Sequence, residues 1–187
     1  MKRAWWGVLA GLLLAMPAGA ACFVGKPGKV SFDDGRVITI IQRHGDDLTY
    51  TEPYEGFQDI VRKTHLMLFP KAARRGARAT EFRWTSRLPK LDQLVPGYHF
   101  NLKGAMKSGD GKAVPYRNEG DVLAREVVQI GACSYEVLVV KTTAYLNEQV
   151  VSVATDYLSP QMLVLLRSDI SLVSAGTTIS QKAVAIE

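Results

Sequence analysis

Short runs of alternating apolar and polar residues, separated by Gly, Pro, Asn and Asp, begin at Val30 and continue through most of the chain. A period of two marks strands with one buried and one wet face. The cleanest case is Thr80-Glu81-Phe82-Arg83-Trp84-Thr85, which puts Phe82 and Trp84 on one face and Glu81 and Arg83 on the other. Residues 98–103 repeat it with Tyr98, Phe100 and Leu102 inward, so the two strands imply one aromatic-lined sheet face. Residues 130–167 are the most apolar part of the pattern, three β-prone runs separated by turns at Asn147-Glu148 and Ser159-Pro160 and entered through Cys133.

The rest of the chain follows the same rule. Residues 29–32 and 36–42 flank Asp33-Asp34-Gly35, a hairpin signal, because a type I′ turn needs positive φ at both central positions and Asp and Gly accept it. A turn at Arg43-His44-Gly45-Asp46 leads into a strand over 47–51. Residues 59–69 read as one strand ended by Pro70, with a short helix as the alternative, and 71–79 as a basic turn or loop around Gly76. Residues 88–97 form a connection with one helical turn at 90–94, and 104–111 is the most flexible segment by composition. A further strand covers 121–130, and the tail from Ser168 adds one edge strand and ends partly frayed. Nine or ten strands without internal repeat or linker predict an all-β fold with minor helix. The architecture is an antiparallel meander forming a highly curved sheet, a barrel or an open half-barrel, with a sandwich as the alternative.

The first twenty residues stand apart. Lys2 and Arg3 precede an apolar run over 4–16 and then Pro17-Ala18-Gly19-Ala20, the arrangement of a secretory signal peptide cleaved after Ala20. The run is shorter than the roughly 20 apolar residues of a spanning helix. Of 187 residues, 167 remain as a single domain over 21–187, and loss of Lys2 and Arg3 takes the net charge from +5 to +3. That balance is too mild for a nucleic-acid binder. Periplasm or secretion makes Cys22 and Cys133 a disulfide, since an even pair in an oxidising compartment bonds by default. The alternative is lipidation of Cys22, because Gly19-Ala20-Ala21-Cys22 resembles a bacterial lipobox, with Gly19 where Leu is usual.

Chemistry is thinly signalled. His44, His65 and His99 are far apart and lack the spacing of a metal motif, so neither metal nor cofactor is expected. Cys133 follows Gly131-Ala132 but precedes a strand, where nothing lowers a thiol pKa, and a disulfide fits it better than a nucleophile. The acidic pairs Asp33/Asp34 and Asp46/Asp47 sit beside glycine, where turns favour Asp. Between Lys71 and Lys90, seven basic residues oppose the single acid Glu81. Lys71, Arg74, Arg75 and Arg78 from this cluster form a candidate contact with an anionic membrane surface, the alternative being a solvated face. Phe82, Trp84, Tyr98 and Phe100 form a candidate ligand face, or ordinary core.

Tyr157-Leu158-Ser159-Pro160-Gln161-Met162 resembles a Tyr-x-Ser-Pro-x-Leu element of uncharacterised bacterial exported proteins, in which it joins two late strands of a curved sheet. The signal peptide with its long meander is similar to the open half-barrels of Lol-type periplasmic lipoprotein carriers, which hold acyl chains on an apolar concave face. The resemblance implies a non-enzymatic envelope β-domain that binds a lipid, another apolar ligand or an envelope protein. A hydrolase with an unrecognised site and a structural or assembly factor are the alternatives.

Overall fold

The structure, a computed structural model, describes residues 22–53 and 58–187. The expected signal peptide therefore lies outside the described residues. Among the described residues twelve strands follow one another: β1 (Lys29–Phe32), β2 (Val37–His44), β3 (Asp47–Glu52), β4 (Ile60–His65), β5 (Phe69–Arg75), β6 (Arg78–Trp84), β7 (His99–Ser108), β8 (Val114–Ile130), β9 (Cys133–Leu146), β10 (Gln149–Ser159), β11 (Val164–Leu172) and β12 (Thr177–Ile186). Each pairs antiparallel with its neighbours in sequence, and β1 pairs with both β2 and β12, so the meander closes into a barrel. Among the described residues every strand has a partner on both sides over part of its length, and neither an open half-barrel nor a sandwich is formed. A 3₁₀ turn, Leu91–Gln93, falls within the expected connection.

Several segments differ from the pattern read in the sequence. Residues 59–69 are two strands, because the chain reverses at Leu66 (φ 53°) and Met67 (φ 54°). No turn-forming residue signals this reversal; burial of Leu66 and Leu68 in the core outweighs the strain. The basic segment 71–79 is a hairpin, β5 turning into β6 at Gly76. Residues 104–111 are strand as far as Ser108. The Asp33-Asp34-Gly35 turn is not type I′: only Gly35 has positive φ (83°), and its N–H donates to Phe32 O at 3.1 Å. The tail is β12, which closes the barrel instead of lying at an edge. Its last residue is tied down, Glu187 N donating to Lys29 O at 3.0 Å.

The two ends of the barrel differ. At one end Leu48, Leu66, Phe69, Leu94, Leu158 and Met162 are fully buried and fill the lumen. There β8 and β9 outrun their neighbours: β7 pairs with β8 only as far as Asp121, and β10 meets β9 only from Leu138 onward. The free part of this hairpin departs at a bulge between Val122 and Ala124 and buries Val128, Ile130, Tyr135 and Val137 in the same core. A Cys22–Cys133 disulfide, with Cα atoms 5.5 Å apart, and a 3.2 Å hydrogen bond from Phe23 N to Tyr135 Oη fasten the N-terminal segment to it. A thioether at Cys22 is incompatible with this bond. Outward positions such as Lys63, Glu81, Arg83, Lys103 and Lys141 are charged and exposed. That is the inverse of a membrane barrel, whose outer band is apolar.

Candidate binding cavity

The register of the strands builds the other end. Gly120, Thr142, Ala154, Ile170 and Ile179 lie side by side across five strands, β8 to β12, and all face the lumen. The adjacent row holds Val140, Asp156, Ser168 and Gln181. Ala154 in the first row and Ala144 beside it leave space where larger residues would fill it, and a cavity of about 420 Å³ results. Gly120 is required by close packing: a Cβ there would stand 2.2 Å from Lys141 O and 2.8 Å from Phe100 Cζ. The wall is aliphatic along Ile38, Ile170, Leu172 and Ile179, and aromatic at Tyr50 and Tyr116.

Polar groups are placed at two levels. Toward the hairpin tips, Arg36 and Arg62 share Glu52, at 3.2 and 2.6 Å, and Arg36 also holds Asp34 at 2.6 Å. Deeper in the lumen is Asp156, 7% exposed, whose carboxyl is pushed up to about 6 by burial; the hydrogen bond from Ser168 opposes the shift and the nearby Asp169 charge adds to it. Burial likewise raises the Tyr50 hydroxyl to about 12. Two further buried atoms of the lining, Thr64 Oγ1 and Asn118 Oδ1, have no hydrogen-bond partner. Such atoms cost free energy unless something satisfies them, of the order of ~1–3 kcal/mol each.

The aromatic residues singled out in the sequence stand behind this wall. Phe82 and Trp84 both pack edge-on against Tyr116, at 5.0 and 5.4 Å between ring centroids. Phe100 is buried in the core against Phe69, and Tyr98 packs on Phe100. Trp84 also bridges a split in the sheet. The pairing of β5 with β6 stops at Ala72 and Glu81, and beyond it the indole N–H donates to Pro70 O at 2.8 Å.

The basic cluster divides between the two faces. Arg75 lies directly opposite Arg78, two residues from Ala73, which is paired with the lumen residue Arg62; strand alternation therefore gives all three arginines the same inward phase. Arg74 points the other way and donates to Gly76 O at 3.0 Å, while Lys71 pairs with Asp47 at 2.7 Å. Among the histidines, His65 has both ring nitrogens engaged, Nδ1 with Asp47 Oδ1 and Nε2 with Pro89 O, each at 2.8 Å. A general base needs a nitrogen free for substrate, and this pair offers none. His99 pairs with Asp121 on the surface, apart from both. No three His, Cys, Asp or Glu side chains converge to hold a metal among the described residues.

Sequence alternation alone did not single out Asp156, Ser168, Thr64 or Asn118. One signal was available: Ala154, Asp156 and Leu158 share a phase, which puts an acid at an inward position of an apolar strand. Polarity at inward phase identifies a site only once the register shows that several such positions meet.

No protein-family model matches the chain, and no curated protein matches its sequence. Among solved structures, the barrel is similar to a hypothetical lipoprotein, YmcC, from Escherichia coli (K12), with a TM-score of 0.53 and 8% sequence identity. The likeness covers 87% of this chain and 89% of that one, so it extends over most of the chain and shows a shared fold.

Proposed function

We propose that this chain is an exported, non-enzymatic barrel that binds a small amphipathic ligand in its lumen. The observation that carries the proposal is the pair of unpartnered polar atoms, Thr64 Oγ1 and Asn118 Oδ1, buried in the wall of a cavity that combines an aliphatic side with polar and charged groups. Pockets of about 300–1,000 Å³ with a few convergent polar groups are the usual form of a small-molecule site, and 420 Å³ falls in that range. Export is supported by the disulfide, which persists in oxidising compartments, and by the leader-like composition of residues 1–20. The engaged nitrogens of His65 favour binding over hydrolysis.

Native mass spectrometry of protein isolated from the periplasm of its expression host tests this directly. A discrete bound mass that is lost when Ala154 is changed to Leu, with the fold retained, is the expected result. The protein alone, together with failure of any amphipathic probe to bind, would overturn the proposal.

A further inference from the structure

The lumen holds a carboxyl group with no cation of its own. Asp156 accepts one hydrogen bond, from Ser168, and no basic residue pairs with it among the described residues. The groups facing it from the surrounding strands are Tyr50 and Glu52 on β3, Arg62 on β4, Ser168 on β11 and Gln181 on β12, and the charge of outward-pointing Asp169, next to Ser168, acts on it through the wall. Arg62 is held by Glu52, Arg36 is divided between Glu52 and Asp34, and Asp169 is paired outside with Arg167 at 2.8 Å. The two cations that line the cavity, Arg36 and Arg62, are thus matched by two other carboxylates, while Arg75 and Arg78 share their inward phase on β5 and β6 outside the lining. Thr64 Oγ1 and Asn118 Oδ1 add two more oxygens able to accept; it is the Asn118 amide nitrogen, not this oxygen, that donates to the Tyr116 hydroxyl. An unpaired buried carboxylate is costly, and these surroundings call for a donor, preferably a charged one.

We infer that the ligand of the cavity is a small amphipathic amine, its ammonium held by Asp156 and its apolar body lying along the aliphatic wall of Ile38, Ile170 and Ile179. The rings of Tyr50 and Tyr116 line the same space, and aromatic rings attract cations. This assignment rests on the binding proposed above and adds the chemical class. Burial raises the Asp156 carboxyl, so its charge is present above about pH 6 and is lost as the pH falls through that value. An alkylammonium stays protonated throughout, its pKa being near that of lysine at about 10.

Isothermal titration with n-octylamine, 1-octanol and octanoate tests the class. At about pH 7.5 the amine is expected to bind about tenfold or more tightly than the alcohol, the size of a charge-assisted hydrogen bond, and octanoate most weakly. Lowering the pH to about 5 should remove most of the preference in the unmodified protein, because Asp156 then carries a proton. In Asp156→Asn the amine and the alcohol should bind equally at both pH values; the unmodified protein's pH dependence provides the test even if that variant fails to fold. Alcohol or octanoate binding as well as the amine at about pH 7.5 would overturn the amine assignment and leave the cavity as a binding site. Failure of all three to bind would overturn both.

Discussion

Ser168 Oγ donates a 2.5 Å hydrogen bond to Asp156 Oδ1 between neighbouring strands of the barrel wall, inside the lumen. This bond favours the ionised carboxylate, but burial outweighs it and raises Asp156 from 3.8 to about 6. The native state therefore keeps a proton that the unfolded chain has already lost. Stability should fall as the pH rises from about 4 to about 6, by up to about 3 kcal/mol, and should be flat beyond that as far as this group is concerned. Urea unfolding across that range measures the slope, and Asp156→Asn should abolish it. A ¹³C titration of the carboxyl with an ordinary midpoint near 4 would contradict the burial account.

The disulfide joins the end-covering hairpin to the N-terminal segment across 111 residues of sequence. Cys133→Ser should lower stability by about 4–5 kcal/mol in the chain-entropy model. Hydrogen exchange should rise most over residues 122–137, where the hairpin has no other strand beside it, and least around the cavity. Equal stability with and without reductant would remove the disulfide's structural role.

At Gly120 the ring of Phe100 and the carbonyl of Lys141 leave no room for a methyl group. Gly120→Ala should destabilise by about 1–3 kcal/mol, since it forces backbone apart. Combining it with Phe100→Leu should restore little, because the tighter contact is the main-chain oxygen at 2.2 Å. Full rescue by the double variant, read by thermal unfolding, would show that the strand spacing adapts.

Asn147 and Glu148 turn between β9 and β10 with φ of 49° and 63°, the left-handed pair of a type I′ hairpin. Glutamate pays a steric penalty there that glycine does not. Glu148→Gly should therefore stabilise by about 0.5–1 kcal/mol. The variant gives up a 3.5 Å pair with Arg117, but the Glu148 side chain is 75% exposed and such pairs contribute little. A lower unfolding midpoint would mean that the ion pair outweighs the backbone strain.

Much of the fold was legible as periodicity. The alternation at 80–85 and 98–103 specified strands and their inward faces, and Asn147-Glu148 marked a turn that is present. The reversal at Leu66 and Met67 was not legible, because neither residue is a turn former. What selects it is burial of Leu66 and Leu68 in a core assembled from distant strands. The tail was equally opaque: its mixture of Thr, Ser and Val suits an edge as well as a closing strand, and only the hydrogen bonds to β1 decide between them.

By itself, then, the sequence determined the strand-and-turn grammar, the all-β class and the pairing of its two cysteines, because period, turn chemistry and cysteine count act locally or by elimination. Only the tertiary structure decided that the sheet closes and which polar residues share the lumen. Both depend on register between strands far apart in the chain, and a polar residue at inward phase becomes a site only when closure brings Asp156, Thr64 and Asn118 to one cavity.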